Sequence, residues 1–282
     1  KKLLIKYIEV LNTFLKKNRI MIKIFCVTNK PLPILEKSPL NLAGVGEHDF
    51  SLNYINTKVK NNIHHKEKFY SELTFHYWYW KNLLMSENSD WIGFCQKRRF
   101  WVKEDTDLSK INKNNLIENL LIKEDNSWSK LDSIICNPIN ISGAKRIKLF
   151  KRGWRNLIRN PKLIFGKKEN IITHFDMHHG YGNLSKAIKK LDNKDRDEFE
   201  KFVVNKSSYN PHIMFIARKT VLEKWFTTVF SWLERCEEEF GFVTLKGYDT
   251  ERLYAYLAER YLSFWFTKYT SYREHPWAFI DF

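Results

Sequence analysis

Residues 96–99 read Gln-Lys-Arg-Arg and follow a short apolar run, Trp91 to Cys95. Two adjacent guanidiniums after a buried strand present bidentate forks to an anion at the carboxyl edge of a sheet, where open α/β folds bind ligands. Arg98 and Arg99 therefore point to a phosphorylated ligand. A second group lies on the stretch Asp249 to Phe266, where Arg252, Tyr256, Glu259 and Arg260 recur near helical period as a polar stripe. A mid-helix Glu-Arg couple is commonly an ion pair, worth little if exposed. Beside a phosphate site, Glu259 is instead a candidate general base. A third group is Thr173 to Gly180. His174, Asp176 and His178 alternate there, with His179 adjacent. An extended segment would put the alternating three on one face, as metal ligands or as polar contacts to substrate hydroxyls. Asp105-Thr106-Asp107 is a D-x-D, a pattern that can hold Mg²⁺ or Mn²⁺ against a diphosphate. It begins several residues past the nearest strand, so helix capping is the expected role and a metal is not supported.

The elements that must position these groups follow from periodicity. Leu73, Tyr77, Trp80 and Leu84 recur at spacings of three and four, predicting a helix that ends at the polar break 86–90. Trp91 to Cys95 is then a buried strand. Ile22 to Thr28 reads as the first core strand, closed by the loop Thr28-Asn29-Lys30-Pro31. In nucleotide-binding α/β folds such a loop often touches base or ribose; it is otherwise an ordinary turn. Leu42 to Gly46 is a second short strand, and 50–68 a polar loop. Helices are expected over 110–125, 183–203, 219–240 and from Asp249 to Phe266, with Asp249 as a cap. Strands are expected over 131–136 and 210–216. Neither G-x-G-x-x-G nor a P-loop occurs, which argues against a dinucleotide-binding Rossmann domain and a P-loop NTPase.

The chain has 282 residues, 43% of them hydrophobic, enough for one large α/β domain over 21–282. Its formal charge of +16 favours nucleic acid, an anionic membrane face or nucleotide substrates, and part of it reflects a Lys-rich composition. Two segments concentrate the cations. Residues 1–20 form a basic amphipathic helix that lies on an anionic membrane face or packs on the domain's flank; a natural start at Met21 is also consistent. Residues 143–169 form a basic insertion with interleaved aromatics, suited to nucleic acid, lipid headgroups or plain solvation. The four cysteines form no C-x-x-C pair, so a reducing compartment without disulfide or zinc is expected. No apolar run approaches a membrane span, and no secretory signal is recognised.

Four motifs carry a resemblance. Tyr70-Ser71-Glu72-Leu73-Thr74 with Tyr77-Trp78-Tyr79-Trp80-Lys81-Asn82 resembles a "YCELTxxYWxWKN" signature. Ile92 to Arg99 is similar to "IGLCHYRR", Tyr209-Asn210 with Met214-Phe215-Ile216 to "YNMFI", and Tyr256 to Arg260 to "YLSER". These belong to a bacterial capsular and exopolysaccharide glycosyltransferase family long catalogued as a domain of unknown function. The resemblance spans about residues 21–267. It implies a GT-A-like α/β fold and a nucleoside-diphosphate sugar donor, with UDP-galactofuranose plausible because some relatives are associated with galactofuranose transfer. It implies a glycan or lipid-linked acceptor and work in the cytoplasm, at the inner face of the plasma membrane. In this reading Arg98 and Arg99, with Lys81 and Lys30, meet the diphosphate. Glu72, Asn82 and Gln96 orient the donor, alongside Thr28 and Asn210. Glu259 or Asp176 deprotonates the acceptor, and His174, His178, His179 and Tyr77 contact substrate. Mn²⁺ or Mg²⁺ stays open. Gln96-Lys97 replaces the family's His-Tyr, and an amide still offers a donor and an acceptor. Two rival readings are a non-catalytic nucleic-acid-binding protein and a degenerate transferase acting as an assembly partner. The first does not explain why acidic, aromatic and amide residues share one helix-strand unit.

Overall fold

The computed structural model describes residues 22–141 and 170–282. The expected helix over 1–20 and the basic insertion over 143–169 lie outside the described residues. The described strands are β1 (Ile22–Thr28), β2 (Asn41–Gly44), β3 (Tyr54–Asn56), β4 (Trp91–Gln96), β5 (Arg99–Trp101), β6 (Ser133–Cys136), β7 (Ile139–Asn140), β8 (Ser208–Tyr209), β9 (Phe215–Ala217), β10 (Tyr272–His275) and β11 (Trp277–Phe279). The main sheet has the order β10-β6-β9-β4-β1-β2-β3. Only β9 is antiparallel to its neighbours on this path, so the other six strands run one way. β5 turns back on β4 and pairs with β11, and β7 pairs with β8 in a separate ribbon.

The helices are α1 (Glu67–Tyr70), α2 (Leu73–Asn82), α3 (Leu116–Asn119), α4 (Ile171–His179), α5 (Asn183–Lys189), α6 (Asn193–Asn205), α7 (Lys219–Phe240), α8 (Tyr248–Glu251) and α9 (Leu253–Tyr269). Strand side chains alternate between two apolar layers, as a pleat requires. Phe25, Val27, Phe94 and Phe215 face the large cluster formed with α2, α7 and α9. Ile24, Cys26, Cys95 and Ile216 face a smaller cluster with Trp91, Trp101 and Trp128. Gly93 sits between Ile24 and Ile216 in register. A Cβ there would lie 2.8 Å from Ile216 Cγ1, so the absent side chain lets three central strands close over one another.

Several expectations change. Residues 110–125 hold only the four-residue α3, because asparagines bond locally: Asn115 accepts from the Asn112 amide and Asn112 from that of Asn114, both at 2.9 Å. Asp107 caps no α-helix; it closes a surface turn on the Ser109 amide at 3.0 Å. The 183–203 helix is two, broken between Lys189 and Asn193, and 249–266 is two, broken at Arg252. The 210–216 strand is shortened to β9 by a turn with His212 at φ 61°. On α2 the buried face is Phe75, His76, Trp78 and Tyr79 as well as Leu73, while Tyr77 and Trp80 are half-buried against Phe230 of α7.

Asp195 ties α6 to α9. It is 1% exposed and accepts from Tyr261 at 2.7 Å, from Lys268 at 3.0 Å and from Tyr269. Burial raises its pKa, but the two hydroxyls and the ammonium outweigh burial and hold it below the usual range. Asp195→Ala strands these partners, and we expect a loss on the order of 3 kcal/mol in urea unfolding. Because the folded-state pKa is depressed, this contribution is present above about pH 4 and fades as pH falls through the folded value.

Candidate functional site

Two cavities share a wall at the carboxyl end of the parallel strands. One, of about 280 Å³, is lined by Val27 near the end of β1, Asn29 just after it, Val45 after β2, and Gln96, Lys97, Arg98 and Arg99. The other, of about 320 Å³, is lined by His174, His178 and His179 of α4, Tyr209, His212 and Ile213, and the α9 face Ala255, Tyr256, Glu259 and Arg260. Ser71, Glu72, Gln96, Arg99 and Arg252 line both.

The backbone explains this convergence. β1 and β4 are parallel with Val27 opposite Gln96, so the cations leave the sheet beside the loop after β1. Lys97 and Arg98 occupy the β4–β5 turn and Arg99 opens β5, since β4 ends at Gln96. The Tyr70-to-Leu73 joint bends between α1 and α2, with Ser71 at φ 51°. A serine held there is strained, and strain of this kind gathers at functional sites. The bend brings Glu72 into the shared wall, where its carboxylate accepts from Gln96 Nε2 and Gln96 Oε1 accepts from Arg99 Nη1 at 3.3 Å. Burial pushes the Glu72 carboxyl up, opposed in part by a hydrogen bond to Ser71 and by Arg252. Lys97 donates to Asn29. Its pKa is lowered by burial first, then by the charges of Lys30, Arg252 and Arg98. Like charges crowded around one ammonium make a strong anion site.

The expected site residues divide. Glu72, Gln96, Arg98 and Arg99 come together as expected. Arg98 is partly engaged, by Asp281 at 2.9 Å and the Phe279 ring at 4.7 Å. Lys30 is exposed and acts at the site through its charge on Lys97, while Thr28 is buried and donates to the Lys30 carbonyl at 2.6 Å. Asn29, between them, faces the cavity. Lys81, Asn82 and Tyr77 do not line either cavity. Lys81 lies over Trp80 at 3.3 Å, Asn82 donates to the carbonyls of Asn61 and Trp78, and Tyr77 packs on Phe230. Asn210 does not line them either; it bridges Ser263, Cys136 and Glu274.

The histidine segment is helical, not extended. Asn170 and Thr173 form a reciprocal cap that starts α4. His174 and His178 are therefore neighbours one turn apart, their rings 4.6 Å from each other. Asp176 points elsewhere and accepts from the Gly182 amide at 3.0 Å. His179 stacks on Tyr256 at 3.7 Å and its Nδ1 meets the Asp249 carbonyl at 2.8 Å. Glu259 accepts from the His212 amide with one oxygen and from Arg260 with the other. No group of three His, Cys, Asp or Glu side chains suited to a metal ion occurs among the described residues. Asp105 and Asp107 do not line either cavity.

Burial pushes the Asp176 carboxyl up to about 6. The folded state then holds a proton that the unfolded chain releases near pH 4, so stability falls as pH rises from about 4 through 6. Asp176→Asn keeps an oxygen for Gly182 and removes the titration. Its unfolding free energy should not decline across this window, as measured by urea unfolding at several pH values.

Arg252, Lys97, Ser71, Tyr209 and His212 also line the walls and were not among the expected site residues, and Asn29 entered only with the loop after β1. Arg252 lay in plain view on the polar stripe, and Lys97 beside Arg98. Ser71 stood in the motif beside Glu72, and His212 is visible only through its left-handed backbone.

A family model matches residues 23–270. The chain belongs to the family described as a domain of unknown function, DUF4422. No curated protein matches it in sequence. A solved structure described as that of the apo WbbM bifunctional glycosyltransferase is similar in fold, with a TM-score of 0.68 and 18% identity. The match covers 93% of this chain and 45% of that one, so the chain spans less than half of WbbM's length. The fold is α/β and GT-A-like, with a mostly parallel central sheet flanked by helices. No helix among the described residues is long and apolar enough to cross a membrane.

Proposed function

We propose that this DUF4422 member is a glycosyltransferase using a nucleoside-diphosphate sugar. The observation that carries the reading is the cation cluster of Lys97, Arg98, Arg99 and Arg252 beside the half-buried carboxylate of Glu72, at the carboxyl edge of parallel strands. The likeness in fold to a bifunctional glycosyltransferase supports it. The nucleoside lies against Val27, Asn29 and Val45, and the diphosphate against the cations. An acceptor hydroxyl oxygen forms a bond to the anomeric carbon as that carbon's bond to the diphosphate breaks. The leaving oxygen keeps the electron pair and is stabilised by Arg99 and Arg252. Glu72 takes the hydroxyl proton. Its raised pKa suits a base, whereas both oxygens of Glu259 are engaged. Glu259 instead fixes the His212 turn against Arg260. UDP-galactofuranose is the first donor to try. The basic segments 1–20 and 143–169 would bring the chain to an anionic membrane face carrying a lipid-linked acceptor.

The test is calorimetric titration with UDP, followed by turnover of UDP-galactofuranose and other UDP-sugars. UDP should bind with an affinity that falls as salt rises, since charge holds the phosphates. Absence of binding by UDP and every other nucleoside diphosphate would sink the proposal. A nucleic-acid-binding protein would instead take oligonucleotides through the same cations.

A further inference from the structure

The cavity built from α4, α9 and the His212 turn is larger than a diphosphate contact needs, and its far wall carries no lysine. Four histidines, two tyrosines and the apolar Ile213 and Ala255 line it instead. We propose that this histidine lobe is the acceptor subsite, and that it takes an uncharged sugar through its hydroxyl groups. The inference rests on the glycosyltransferase reading and specifies the class of the second substrate.

Three observations support it. First, His174 Nδ1 and His212 Nε2 are buried nitrogens without a hydrogen-bond partner among the described residues. Such groups are costly unless something satisfies them. Both line the same cavity, one from α4 and one from the turn before β9. Second, the imidazoles of His174, His179 and His212 are kept neutral. Burial pushes His174 down to about 3, helped by Arg260 and His178. His179 and His212 are lowered well below their usual value by burial, then by Arg260 for His179 and by Arg99 and Arg260 for His212. A neutral imidazole has one donor and one acceptor nitrogen, which is the pattern a sugar hydroxyl complements. A phosphorylated acceptor would call for cationic groups on the far wall, where Arg260 is already held by Glu259 and by the Tyr209 ring at 3.9 Å; Arg99 and Arg252 stand on the wall shared with the other lobe. Third, the His179–Tyr256 stack gives the lobe an aromatic wall, suited to the apolar face of a pyranose. Glu72 stands on the wall between the lobes, so an acceptor here brings a hydroxyl toward the base while the diphosphate remains on the other side.

The experiment is saturation-transfer NMR on the full chain. The probes are the methyl glycosides of galactose, glucose, mannose and N-acetylglucosamine, with galactose 1-phosphate as the anionic counterpart, each measured with and without saturating UDP. At least one neutral glycoside should give a signal that persists when UDP is bound. His174→Ala and His212→Asn, the latter chosen because asparagine tolerates the left-handed backbone of residue 212, should each weaken that glycoside about tenfold, the loss of one or two buried hydrogen bonds. UDP affinity should be unchanged in both variants, which also verifies that they fold. The proposal is overturned if no neutral glycoside binds, if UDP displaces the glycoside, if the phosphorylated sugar binds better, or if the two variants weaken UDP instead. Failure of UDP itself to bind the wild-type chain would sink the glycosyltransferase reading, a distinct result.

Discussion

Glu72→Gln is expected to lower turnover of the nucleotide sugar by about a hundredfold to ten-thousandfold, the usual contribution of a positioned base. UDP affinity should stay near wild type. Glutamine keeps an oxygen for the Gln96 amide and occupies the same volume, so the wall between the lobes is preserved while the proton acceptor is lost. Glu72 is placed in that wall by a strained turn at Ser71, and its surroundings bias it toward protonation: burial raises its pKa, and Glu259 adds to the effect. The sign of the pH dependence follows. The base must be ionised, so kcat/KM should fall on the acid side at a pH above the ordinary glutamate value of about 4.3. Glu72→Gln should remove that limb from whatever activity remains. Wild-type turnover in Glu72→Gln would refute the base assignment. Loss of turnover in Glu259→Gln alone, with the fold and UDP binding intact, would return the role to Glu259.

Arg99→Ala should weaken UDP about 10- to 100-fold, the worth of one or two charge-assisted hydrogen bonds to phosphate. Arg99 is chosen over Arg98 for a physical reason. Arg98 already shares its guanidinium with Asp281 and lies on Phe279, and it lines only one lobe. Arg99 lines both lobes, is paired with no carboxylate among the described residues, and donates from its side chain to neutral Gln96 over a long 3.3 Å. Arg98→Ala should therefore cost less UDP affinity than Arg99→Ala. Arg99→Lys should rescue only in part, because an ammonium cannot reproduce the planar fork. Calorimetric titration of the three variants measures this ranking, and thermal melts report whether each remains folded. Equal affinities across the series would remove the arginines from the diphosphate site.

The α/β class, the β1 and β4 strands and the long α7 helix were legible because hydrophobic periodicity is local, and so were the cations beyond β4. The short apolar runs Ile22 to Thr28 and Trp91 to Cys95, rich in β-branched and aromatic residues and bounded by polar breaks, read as buried strands. The errors arose where short-range chemistry overrode the pattern. Asparagine side chains dissolved the helix expected at 110–125. The cap at Asn170 wound His174 to His179 into a helix, although alternation suggested an extended segment.

By itself, then, the sequence determined which residue types were available: a pair of arginines after a buried strand, a histidine cluster and a polar stripe on one late helix. Only the tertiary structure decided which of them meet. Lys81, Asn82 and Tyr77 belong to the same recognisable motif as Glu72, yet α2 carries them away from the cleft, because a helix rises about 1.5 Å per residue and Asn82 ends it ten residues on. Arg252 is 153 positions from Arg99 (252 minus 99) and shares a wall with it. That distance closes through the packing of α9 on the sheet, a long-range contact that periodicity does not encode. The winding of α4 separates Asp176 from the histidines it alternates with, and the fold joins Glu259 to a histidine 47 positions upstream.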